Sequence, residues 1–107
     1  MLNAVFKTID DRRDDYIAQL QTLCRQPSVS SHGGEQMART ADMVEGMVRE
    51  VGAETVQLPT ESFPIVFGEV PGESDRVISC YNHYDVQPLS PSSRGPLIRS
   101  VPRFATV

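Results

Sequence analysis

The hydrophobic period of the chain changes once, at Gly52, and that change limits what it can build. Before Gly52 the apolar residues recur every three or four positions, the spacing of amphipathic helices, and after it they alternate, the spacing of strands. Val5, Phe6, Ile9, Tyr16, Ile17, Leu20, Leu23 and Cys24 form one stripe of a first helix, which Pro27 ends. The Ser- and Gly-rich SVSSHGGE reads as a loop. From about Glu35 a second helix carries Met37, Ala41, Val44, Val48 and Val51 on one face, with Gly52 where a left-handed cap is expected. Then Thr55–Leu58 alternates as a short strand, Phe63–Val70 reads as a second and Arg76–Tyr81 as a third. The short turn PGES between the last two suits a hairpin, because a parallel pair would need a longer crossover. The expected class is therefore α/β, two helices followed by about three strands of an incomplete sheet.

Composition excludes several functions. The net charge of the 107 residues is −4, and residues 1–90 mix fourteen acids with seven bases, without the one-sided basic stripe of a nucleic-acid binder. No stretch approaches the roughly 18 apolar residues of a membrane span, and the N-terminus lacks the apolar core of a signal peptide, so a cytoplasmic protein is expected. Cys24 and Cys80 stand far apart without C-x-x-C spacing and read as buried free thiols. From Pro91 onward the text differs: PSSRGPLIRSVPRFATV holds three arginines, three prolines and no acid, which opposes any continuous element and predicts a disordered tail.

The third strand runs into Asn82-His83-Tyr84-Asp85. A histidine at a strand mouth ligates a metal well only when the proton on its other ring nitrogen is held, which fixes tautomer and ring angle. In an extended segment residues i and i+2 project to the same side, so the Asp85 carboxylate is in reach of the His83 imidazole. The pair alone is a weak signal, since H-x-D is a common spacing. His32, in a polar loop without an acid or cysteine at ligand spacing, reads as solvent-exposed, and Asp10, Asp11, Asp14 and Asp15 as a solvated helix face.

The string YNHYDVQP resembles the G-H-Y-D-V-Q-P signature of the zinc aminoacyl peptidases, a family of cytosolic dipeptidases, carboxypeptidase G-like enzymes, acetylornithine deacetylase and succinyl-diaminopimelate desuccinylase. The dipeptidase branch looks nearest. The likeness extends in the same order through CRQPSVSS, EVGAETVQL and FPIVFGEVPGES, covering about residues 14 to 91.

This resemblance implies that residues 1–90 are the N-terminal portion of a zinc-peptidase catalytic domain, hydrolysing an amide bond of peptides or N-acyl amino acids. It implies that His83 is a ligand of one zinc and that Asp85 is the acid that orients it. The family's full site holds two zinc ions bridged by an aspartate, with a general-base glutamate and further ligands downstream, none of which has a matching position here. Zinc takes about three protein ligands even in an open catalytic site, so His83 alone is not expected to hold it.

Within the motif, Asn82 replaces the family's glycine, a substitution that asparagine tolerates if the backbone there is left-handed. Tyr84 and Gln87 match the family and read as packing or loop-shaping residues. After Pro91 the family pattern is lost. Codons can be chosen for Leu97 through Phe104 so that the frame one base later spells SFEASRD, which is similar to the family's continuation and suggests a frameshifted tail over 91–107. The expectation is a truncated metallopeptidase, inactive unless another polypeptide supplies the remainder. The alternative is a small non-catalytic binding or assembly protein derived from the same fold.

Overall fold

The computed structural model describes residues 1–88, which fall into two units divided between Gln26 and Pro27. The expected tail over 91–107 lies outside the described residues.

The first unit is helical. The expected single helix is broken into α1 (Leu2–Asp11) and α2 (Arg13–Arg25) by Arg12, at φ −106° and ψ 12°. The break sits inside Asp10-Asp11-Arg12-Arg13-Asp14-Asp15, where four aspartates compete with the helix for backbone hydrogen bonds. The Arg12 guanidinium lies 5.2 Å from the centre of the Tyr16 ring, and Lys7 pairs with Asp11 at 2.6 Å. All four aspartates are exposed, as expected of a solvated face. Gln26, at φ −72° and ψ 121°, leaves the helix because the Pro27 ring disfavours helical geometry in the residue before it.

The second unit packs a helix on a hairpin. After a 3-10 turn at Ser30–His32, in which His32 is exposed as expected, α3 spans Glu35–Glu50. Its Met37, Thr40 and Ala41, within one turn of each other, are the residues it buries completely. The Thr40 hydroxyl donates to the Gln36 carbonyl at 2.8 Å and lies 3.3 Å from that of Pro27, so its burial leaves no polar group unsatisfied. Val44 and Val48 are half-buried, but Val51, expected on the same face, is exposed at the helix end. Gly52 takes the expected left-handed conformation, φ 89°.

Strands β1 (Glu54–Leu58) and β2 (Ile65–Glu69) pair antiparallel, Val56 opposite Phe67 and Leu58 opposite Ile65. The connecting loop is braced by Thr60, whose hydroxyl accepts from the Ser62 amide at 3.1 Å and donates to the Phe63 carbonyl at 2.8 Å. The α/β class and the incomplete sheet are observed. The hairpin, however, joins the first two expected strands, and Arg76–Tyr81 is not a strand. β-forming residues hold a strand only where an edge pairs with them and a layer covers them. Neither happens here: α3 packs over β1 and β2, while Val77 and Ile78 stay 86% and 90% exposed.

One face of the hairpin meets α3. Thr55, Gln57, Val66 and Gly68 lie on it, and the contact is partly polar: Gln57 Nε2 donates to Asp42 Oδ1 and Glu45 Oε2, both at 2.8 Å, and the Thr55 hydroxyl donates to Glu45 Oε1 at 2.9 Å. Arg49 Nη2 joins them, 2.8 Å from Glu45 Oε1 and 3.0 Å from Thr55 Oγ1. Helix and sheet touch most closely at Gly68, where an added Cβ would collide with Val48 Cγ1 and meet Ala53 Cβ at 3.4 Å. Both cysteines are exposed, contrary to the buried thiols expected: Cys24 lies on an uncovered helix face and Cys80 in the unpaired segment.

Candidate functional site

The segment that carries His83 and Asp85 is held by its neighbours. The Tyr84 hydroxyl donates to the Pro64 carbonyl at 2.6 Å, just before β2. Two residues on, Val86 forms an isolated parallel bridge with Val29: its amide donates to the Ser28 carbonyl at 2.9 Å, and its carbonyl accepts from the Ser30 amide at 3.4 Å. The 28–30 loop and the YNHYDVQP segment, distant in sequence, are thereby joined. The Val86 bridge had no signal in local periodicity, because each partner lies outside a regular strand.

The alternation of an extended chain then puts His83 and Asp85 on the side away from the Tyr84 anchor. Nδ1 of His83 is 3.5 Å from Oδ1 of Asp85, and their side chains are 69% and 39% exposed. This is longer than an ordinary N–H···O hydrogen bond, so it is a close approach rather than a formed bond. It leaves Nε2 as the ring nitrogen turned away from the carboxylate. Tyr81, one step earlier on the same side, meets the imidazole edge-on, with centroids 5.1 Å apart and planes at 76°. Tyr81 was not singled out from the sequence; its i−2 spacing from His83 was the available signal.

One feature of the expected site differs in the structure, and the condition placed on Asn82 does not arise. His83 does not stand at the mouth of a strand, since residues 76–85 lie outside the sheet. Asn82 is not left-handed, because among the described residues only glycines have positive φ, so the change from the family's glycine asks nothing of the backbone.

Burial raises the Tyr84 phenol above its ordinary value, with the Asp85 charge adding to it, so Tyr84 stays a protonated donor to Pro64. Among the described residues no three His, Cys, Asp or Glu side chains converge to hold a metal ion. One imidazole with a carboxylate behind it falls short of the roughly three ligands a zinc ion takes, so the residues described do not fit a resident zinc. The other cluster of charged groups, around Glu45, is closed on itself: its carboxylate is engaged by Gln57, Thr55 and Arg49. Among the described residues no helix is long and apolar enough to cross a membrane.

The chain is similar to the Cys-Gly metallodipeptidase dug1 of Schizosaccharomyces pombe (strain 972), 28% identical over 106 aligned positions that cover 83% of this chain and 21% of the relative. The chain thus spans about a fifth of the length of the curated relative it matches. No family model matches the chain, and no solved structure matches it. The likeness is to a metallopeptidase.

Proposed function

We propose that residues 1–90 are the opening part of a zinc-peptidase catalytic domain of the cytosolic dipeptidase type, followed by a divergent tail over 91–107. In this reading the chain is cytoplasmic, and its relatives hydrolyse the amide bond of dipeptides or N-acyl amino acids. The chain contributes His83 as one zinc ligand and Asp85 as the acid that orients it. The observation that carries the reading is the 3.5 Å approach of Asp85 Oδ1 to His83 Nδ1 in a segment anchored on both flanks of Asp85, by Tyr84 and Val86. A carboxylate hydrogen-bonded to one imidazole nitrogen fixes the direction of the other, and at 3.5 Å Asp85 is a small side-chain movement from making that bond. Similarity to a metallodipeptidase supports the metallopeptidase part of the reading.

In this reading residues 1–90 are inactive by themselves, since a single ligand does not retain zinc at useful affinity and the further donors and the general base lie outside these residues. The test uses the purified 107-residue chain with zinc and the dipeptide Cys-Gly. The expected result is no zinc-dependent hydrolysis, together with a weak zinc-induced shift of the His83 ring signals that exceeds that of His32 and that Asp85→Asn weakens. Turnover would overturn the inactivity, and ring signals indifferent to zinc would overturn the ligand assignment. A second reading, a non-catalytic binding protein built on the same fold, is favoured by the uncovered apolar side of the hairpin.

A further inference from the structure

The His83 side chain is mostly exposed, so the core of the protein fixes neither of its two torsions. The outer torsion of a histidine lies in a broad, roughly two-fold well rather than a sharp rotamer, and an imidazole left to itself samples many ring planes. Asp85 does not settle the plane, because at 3.5 Å its carboxylate has not closed a hydrogen bond on Nδ1. The other group against the imidazole is the ring of Tyr81. With centroids 5.1 Å apart and planes at 76°, the two rings stand in the edge-to-face arrangement that the charge distribution of aromatic rings favours, and that preference depends on the angle between the planes. Tyr81 is 83% exposed, and among the described residues its hydroxyl makes no hydrogen bond, so the ring alone carries the contact.

We infer that Tyr81 is a positioning residue: its ring sets the plane of the His83 imidazole, and Asp85 then selects which edge of that plane faces the carboxylate. The inference rests on the roles given to His83 and Asp85 in the proposed function. The two neighbours do different work. A half-turn of the imidazole about its outer torsion keeps the plane, and with it the aromatic contact, but puts Cδ2 in place of Nδ1 beside the carboxylate, and Asp85 opposes that. A twist out of the plane loses the edge-to-face contact, and Tyr81 opposes that. Nε2 therefore has a fixed direction only when both are present. Each lies two residues from His83, so the alternation of an extended chain puts all three side chains on one side.

The test uses the full chain with isotopically labelled histidine, at a pH where both imidazoles are neutral, and reads from the ring nitrogens the ratio of the Nδ1–H to the Nε2–H form. His32, exposed and without an acid at ligand spacing, supplies the unbiased ratio in the same molecule. The expected result is that the ratio at His83 exceeds that at His32, that Tyr81→Leu lowers it at least about 2-fold, the low end of what an edge-to-face pair contributes, and that Tyr81→Phe leaves it as in wild type. Asp85→Ala is expected to remove the bias whichever ring stands at 81. Because Tyr81 is exposed, these changes take nothing from the core, and the amide signals of α3 and the hairpin should not move. A ratio unchanged in Tyr81→Leu, or lowered as far by Tyr81→Phe as by Tyr81→Leu, would overturn the inference. Ring signals indifferent to zinc, in a chain whose ratio still follows the ring at 81, would overturn the ligand assignment and support the inference.

Discussion

The Tyr84 hydroxyl donates a 2.6 Å hydrogen bond to the carbonyl of Pro64, tying the His83–Asp85 segment to the head of β2 across 20 residues of sequence. No other side-chain hydrogen bond joins residues 76–88 to the hairpin among the described residues. The placement of His83 therefore depends on the hydroxyl of the residue that follows it, together with the Val86 bridge on the far side of Asp85.

Tyr84→Phe keeps the ring and removes the donor, leaving a half-buried carbonyl short of a partner. A loss of about 1 kcal/mol is expected, with faster amide exchange confined to residues 83–86. The wild-type bond also has an alkaline limit. Because folding raises the phenol's pKa, its contribution is fully present below the ordinary value near 10.0 and is lost as pH rises through the elevated one. The protection of the Val86 amide, its exchange rate relative to that of an unstructured chain at the same pH, should fall through that range in wild type and stay flat in Tyr84→Phe.

Glu45 sets an acid limit on the seam between α3 and the sheet. Hydrogen bonds from Gln57 first and Thr55 second, helped by Arg49 and opposed by partial burial, hold its carboxyl below the ordinary value of 4.5. A lowered pKa means stability that is present above 4.5 and disappears as pH falls through the lowered value. Glu45→Gln is expected to melt below wild type at pH 7, with the gap closing in acid; thermal melts at the two pH values read this directly.

Gly68→Ala places a methyl against Val48, whose β-branched side chain has little rotamer freedom in a helix. Overpacking of this kind costs about 1–3 kcal/mol, and Val48→Ala in the same chain should recover part of it. A denaturant melt of the single and double variants distinguishes this coupling from simple additivity.

Met37→Ala attacks a small core. Met37, Ala41 and Ala53 are the buried apolar residues among the described ones. A truncation of this type costs about 2–5 kcal/mol, while whole domains are stable by about 5–15, so the variant is expected to lose its cooperative transition rather than shift it. Circular dichroism against temperature should show a broad, non-sigmoidal loss of signal.

Much of this molecule was legible residue by residue. The period change at Gly52, the cap there, the stop before Pro27 and the same-side placement of His83 and Asp85 follow from local backbone geometry, which sequence spacing encodes directly. Local pattern was less reliable where stability comes from neighbours. Arg76–Tyr81 has the residues of a strand yet forms no strand pairing among the described residues, and both cysteines, in apolar patterns, are exposed.

Alternation alone established that Val56 and Leu58 share one side of β1 and Thr55 and Gln57 the other. Which side meets the helix was decided only in three dimensions, and the physical reason is Gly68. Its missing side chain lets Val48 reach the backbone on the Thr55 side, where Glu45 and Asp42 also satisfy Gln57, and so the apolar side is left facing outward. The bridge between Val29 and Val86 was likewise settled by tertiary structure, because a backbone hydrogen bond between distant loops depends on where each is held and not on its side chains.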